Sequence, residues 1–255
     1  MAEKKIGPYI GVTGFMSRAE VDEALSVVPQ DSTHRLMVGV LMSSKTLAGQ
    51  QNKWPGRYPK KELVADIFVD DPRVLNLVHY NTDYPNTLCS QLEEITALAG
   101  PRLDGFQLNM AWPSIFQLED YRCKNPDKFV VLQVGNKVMA EVESMKDFRL
   151  YIGAYLHVID AILIDASGGI GAPLDAAKVA DYLWEVVTFS IGLGAAGGLG
   201  PRTLGLIDPL VYEFGRRLST DAEGQLRTPK PEDKLSLDAM RAYLSGAFLM
   251  FKHLA

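Results

Sequence analysis

The chain has 255 residues, 47% of them hydrophobic and 22% charged, with a formal net charge of −5, an ordinary globular composition long enough for one large domain. No lysine- or arginine-rich run offers a surface to nucleic acid or anionic lipid, and no apolar stretch reaches the roughly 18–20 residues of a spanning helix. The opening Met-Ala-Glu-Lys-Lys lacks the apolar region of a secretory signal, and Cys89 and Cys123 lack metal-like spacing, so free thiols in a cytoplasmic protein are expected.

Eight short apolar runs alternate with longer amphipathic segments. The first, Tyr9–Thr13, precedes a helix for which Ser17 and Glu20 form a capping box. The second covers residues 35–42 and is followed by a polar loop over 43–59, suited to a lid or rim, and a helix near 60–69. Runs at 74–80, 104–109 and 128–134 lead to helices near 87–98, 113–121 and 139–156. The sixth run, 158–165, passes through a glycine loop into a helix over 174–187. The seventh begins near Ser190 and ends in clustered glycines before a helix over 202–214. The eighth, 216–220, precedes a loop rich in Pro and Lys and a last helix over 235–253. Near-continuous apolar runs indicate strands buried on both faces, and eight βα units without a linker predict a single (β/α)8 TIM barrel over residues 1–255. A doubly wound sheet is the alternative arrangement.

In such a barrel the chemistry sits at the C-terminal strand ends. Those ends carry Thr13, Ser43 to Lys45, His79, Asn109, Gln133, Asp165, Gly197 with Gly198, and Ser219 to Asp221. Asp165 ends the run Ala-Ile-Leu-Ile before a loop holding Gly168, Gly169 and Gly171, where desolvation can raise a carboxyl for use as a general acid. The same loop can bring backbone against a substrate or simply form a tight turn. Asp175 is a favourable partner for the dipole of the helix that follows. His79 ends strand three as a lone histidine, packed or catalytic. Lys45 is placed to steer a carboxylate or phosphate.

Gly192-Leu-Gly-Ala-Ala-Gly197 matches the dinucleotide pattern G-x-G-x-x-G, with Asp221 near the offset of a ribose-binding acid, which opens an NAD(P)-dependent oxidoreductase as a competing reading. Only one further βα unit follows it, however. As strand seven of eight, the same glycines fit the phosphate site common after strands seven and eight, with N–H groups from Gly197 and Gly198 and hydroxyls from Ser219 and Thr220. Asp221 and Glu223 would then face away, since a carboxylate repels phosphate. No metal or cofactor is called for.

Several motifs together resemble the phosphoribosylanthranilate isomerases. Val12-Thr-Gly14 is similar to their Lys-Ile-Cys-Gly opening, and Phe106-Gln107-Leu-Asn109 to their Val-Gln-Leu-His strand four. Leu163-Ile-Asp165-Ala with the Gly168–Gly171 loop is similar to their strand six, Ala196-Gly-Gly-Leu199 to strand seven, and Leu218-Ser-Thr220 with Glu223 to strand eight. The resemblance implies an Amadori rearrangement of an aldose phosphoribosylamine to a ketose. It implies Asp165 as general acid and phosphate on Gly197, Gly198, Ser219 and Thr220. Substrate contacts are expected from Lys45, Gln107, Asn109, Gly169 and Gly171. The family's general base is a strand-one cysteine; here Thr13 stands in its place, Gly11 replaces the lysine before it, and Asp221 replaces the glycine after the strand-eight serines. A divergent isomerase of a small phosphorylated ligand, with His79 or Asp83 replacing the thiol, is one expectation. A non-catalytic phosphate-binding barrel is the other. The sequence does not give the oligomeric state.

Overall fold

The computed structural model describes residues 7–167 and 173–252. Among them eight parallel strands close into one barrel in chain order, with β1 (Tyr9–Thr13) paired to both β2 (Arg35–Ser43) and β8 (Leu218–Ala222). Between these run β3 (Val74–Asn81), β4 (Gly105–Leu108), β5 (Phe129–Gly135), β6 (Ala161–Asp165) and β7 (Gly192–Ala196). The expected (β/α)8 barrel is the observed fold.

The helices follow the strands as the amphipathic segments require. Helix α1 (Arg18–Leu25) starts at Ser17, whose hydroxyl accepts from the Glu20 N–H, while the Glu20 carboxylate accepts from the Ser17 N–H at 3.1 Å. The one-turn α2 (Ser44–Leu47) opens the long polar loop, and α3 (Val64–Ile67) closes it. Helices α4 (Leu88–Ala99) and α5 (Ile115–Lys124) lie where expected, but the single helix expected over 139–156 is two, α6 (Asn136–Ala140) and α7 (Met145–Tyr155). The break falls at Ser144, which caps α7 by accepting from the Asp147 N–H at 3.2 Å. Helices α8 (Ala176–Val186), α9 (Asp208–Phe214) and α10 (Leu237–Lys252) complete the outer ring.

Alternate strand residues face opposite sides of the sheet, and here both sides are buried. Outward side chains such as Ile10, Val38, Val130 and Ile162 join the helices in one large core. Inward ones, including Tyr9, Met37, Leu77, Phe129, Val131 and Leu163, form a second apolar cluster that plugs the barrel. Two or four residues further along, the same inward face of six strands reads Thr13, His79, Gln107, Gln133, Asp165 and Asp221. The period of two that builds the apolar plug therefore sets a polar layer above it, at the C-terminal mouth.

Candidate active site

All of the polar layer but His79 forms one hydrogen-bonded chain. The Thr13 hydroxyl donates to Asp221 Oδ1 and Oδ2 at 3.1 and 2.9 Å. Gln107 Nε2 donates to Asp221 Oδ2 at 3.0 Å and to Gln133 Oε1 at 3.1 Å, and Gln133 Nε2 donates to Asp165 Oδ2 at 3.0 Å. The Ser167 N–H and hydroxyl close the far end on Asp165 Oδ1 at 3.1 and 2.7 Å. Glycines make the room: a Cβ on Gly39 would lie 2.5 Å from Thr13 Oγ1, and one on Gly11 would lie 2.9 Å from Asp221 Oδ1. Gly197, at φ +116°, lets β7 end against Asp165, whose Oδ1 would be 3.0 Å from any Cβ there.

Burial shifts the ionisation of two members of this layer. Asp221, only 6% exposed, has its carboxyl pushed up to about 7. Burial is the main cause; the donors Gln107 and Thr13 pull it down, while Glu223 and Asp165 add repulsion. His79 is equally buried, and neither ring nitrogen has a hydrogen-bond partner among the described residues. Burial lowers its pKa, partly opposed by Glu223 and Asp165, so the neutral imidazole is favoured, with one N–H and one lone pair unused. Leaving such groups unpaired costs roughly 1–3 kcal/mol each, which the fold bears at this point.

Asp221 is where structure and sequence part. The expectation that it turns away from the site is corrected: inward alternation from Ser219 carries it into the barrel beside Thr13. Strand β8 also runs two residues beyond the expected end, so Ser219 and Thr220 lie within the strand rather than at the rim. The Ser219 hydroxyl accepts from the Tyr9 N–H at 3.2 Å, at the level of the plug. Thr220 faces outward, its hydroxyl 3.0 Å from that of Tyr243 on α10. Gly197 and Gly198 do line the mouth, without the two hydroxyls expected beside them. Gly192 and Gly194 belong to β7 itself, where a Cβ on Gly194 would meet Leu163 Cδ1 at 2.8 Å. They serve strand packing and form no strand-to-helix phosphate turn. Gly169 and Gly171 lie outside the described residues.

Among the described residues, three spaces at the mouth share lining residues. A cavity of about 90 Å³ brings together His79, Asp165, Asp221, Glu223 and the glycines at 197 and 198. Gln133 and Asp165 also line a cavity of about 430 Å³ that holds Asn109, Asn81, Asp83 and Lys137. Asn81 and Asp83 lead on to a groove of about 140 Å³ with Lys45 and Lys53. Of the sequence candidates, the small cavity gathers Asp165 and His79 with Asp221, which Thr13 and Gln107 hold; Asn109 and Lys45 stand in the neighbouring spaces.

No protein-family model and no curated protein matches the chain. Solved structures do. Phosphoribosyl anthranilate isomerase from Thermococcus kodakaraensis superposes with a TM-score of 0.57 at 12% identity, covering 95% of this chain and 98% of that one. The tryptophan synthase alpha subunit of Legionella pneumophila str. Paris gives 0.59 at 12%, covering 98% and 94%. The catalytic domain of a hyperthermophilic chitinase from Pyrococcus furiosus gives 0.56 at 10%, covering 99% and 98%. These likenesses show the barrel fold alone.

Arg57, which the sequence did not single out, borders the small cavity. It reaches from the 43–59 loop across the mouth, donating to Glu223 Oε1 at 2.7 Å and to both Asp233 oxygens at 2.7 and 2.9 Å. Beneath it Arg227, nearly fully buried, donates to the carbonyls of Gly14, Gly56 and Asp233 and so joins three rim loops. The loop's composition marks it as a rim element, but nothing local identifies partners 166 and 176 residues away.

Proposed function

We propose that this chain is an acid–base isomerase of the aldose–ketose type, resembling the phosphoribosylanthranilate isomerases but with a carboxylate in place of their thiol. The observation that carries the reading is Asp221: a buried carboxyl near pKa 7, bonded to the threonine that stands where the family has its cysteine, in one cavity with Asp165 and His79. Two departures from the family motifs meet there. Gly11, at the family's lysine, and Asp221, at its glycine, are register partners on neighbouring strands. A short carboxylate from β8 thus fills space that a long cation from β1 would need.

A carboxyl titrating near neutrality suits proton abstraction from carbon at physiological pH, which a threonine hydroxyl alone does not. In the aldose-to-ketose direction, Asp165 gives a proton to the ring oxygen as its bond to C1 breaks. Asp221 takes the C2 proton, and that electron pair forms the C1–C2 double bond. A proton then returns to C1 as the C2 hydroxyl becomes the ketone, with no net oxidation. Neutral His79 supplies a donor and an acceptor to the moving hydroxyls.

The test is solvent exchange: aldose phosphates, phosphoribosylanthranilate among them, are incubated with the protein in deuterated water and followed by NMR. Deuterium is expected at C1 or C2 of at least one substrate, at a rate rising with pH through about 7. Asp221→Asn and Asp165→Asn are each expected to slow it about 10²–10⁴-fold. Absence of exchange, or exchange that survives Asp221→Asn, overturns the reading.

A further inference from the structure

Charge is segregated across the mouth. The small cavity under β6 to β8 carries three acidic side chains, Asp165, Asp221 and Glu223, and one cation, Arg57, already bonded to Glu223 and Asp233. An anion placed there finds no unpaired cation among the described lining residues. The groove between the β2 and β3 loops has the opposite character. Lys45 and Lys53 line it and hold no ion pair with any described residue, and Asp83 is its one carboxylate. Trp54 on its wall draws Lys53 and Lys230 to within 5.0 and 4.2 Å of the ring, which adds to the positive fringe.

Between the two ends lies the 430 Å³ cavity, and its lining is of a third kind. Asn81, Asn109, Gln133 and Asn136 bring four carboxamides, joined by the Thr82 hydroxyl, by Asp83 and Asp165, and by the Lys137 ammonium. Carboxamides donate and accept at once, which matches ligand hydroxyl groups that do the same. Asp165 lines both this cavity and the acidic one, so a molecule lying in the larger space presents a carbon to the proton-handling end.

We infer that the ligand is a polyhydroxylated anion lying across the mouth, its hydroxyl-bearing chain in the carboxamide cavity and its phosphate or carboxylate in the groove at Lys45 and Lys53. This orientation rests on the acid–base reading for the carbon over Asp165, and it places the anionic end away from the β7 and β8 glycines. Phosphate and carboxylate share the chemistry the lysines recognise.

The experiment compares ribose 5-phosphate, ribonate and neutral ribose binding to the full chain by ligand-detected NMR. One or both anions are expected to bind at least five-fold more tightly than ribose, and which of them does so identifies the anionic group. The double variant Lys45→Gln/Lys53→Gln is expected to cut that preference below two-fold, while Lys146→Gln on the outer face of α7 keeps it. The inference is overturned if none of the three binds, if ribose matches both anions, or if the double variant keeps the preference. Selective binding without solvent exchange would sink the isomerase reading alone; exchange without anion preference would sink this one alone.

Discussion

Asp221 couples the proposed chemistry to stability, and the sign follows from its environment. Its carboxyl rises from 3.8 to about 7 on folding because burial penalises the charged form. Its contribution to stability is therefore fully present below about pH 4 and is lost as pH rises to about 7, where the folded state must hold a buried carboxylate. Asp221→Asn removes that ionisation while keeping an acceptor for Gln107. The variant is expected to be more stable than the parent at pH 8, by an amount on the order of 4 kcal/mol, with the gap closing toward pH 4. Urea unfolding at the two pH values reads it, and a gap that does not change with pH would contradict a buried titrating carboxyl. The same substitution that gains stability is the one expected to slow exchange, as stability and function oppose each other at such sites. Thr220 gives the complementary case at one position's remove. Its hydroxyl serves Tyr243 behind the sheet, so Thr220→Val is expected to lose about 1–2 kcal/mol in unfolding experiments and to leave exchange unchanged.

At the scale of elements, the rim loop and the β8 loop act as one structure. Arg57 and Arg227 bind Asp233 from two directions, and Arg57 also holds Glu223 over the acidic cavity. Removing one partner of a largely buried ion pair leaves the others uncompensated. Arg57→Ala is expected to cost about 1–3 kcal/mol and to speed proteolytic cleavage within residues 43–59, followed by mass spectrometry of the limited digest. Cleavage at the parent rate would show that the ion pairs do not hold the loop. Much of each element was legible locally. The Ser17 and Glu20 capping box fixes the start of α1 from residues three apart. Ser144 was an equally local signal, and its N-cap explains why one expected helix is two. The end of β8 was not legible, because Ser-Thr-Asp-Ala has little apolar character and its strand conformation comes from pairing with β1 and β7.

Across the whole molecule, barrel closure converts eight local patterns into one site. Thr13 and Asp221 stand 208 residues apart in the chain and 2.9 Å apart in space, because β1 and β8 pair at the seam. Gln107 and Gln133 carry the connection on to Asp165. The sequence by itself determined the repeating βα order, the strands buried on both faces, and the set of polar groups at their ends. Those features arise from hydrophobic periodicity and capping among near neighbours, which need no distant partner. Only the tertiary structure decided which way the end residues turn and which of them meet. It sent Asp221 inward and Thr220 outward, drew Arg57 across the mouth, and left His79 without a hydrogen-bond partner among the described residues, in one cavity with Asp165 and Asp221. Such choices depend on strand register around a closed sheet, where a shift of one residue exchanges the inside for the outside.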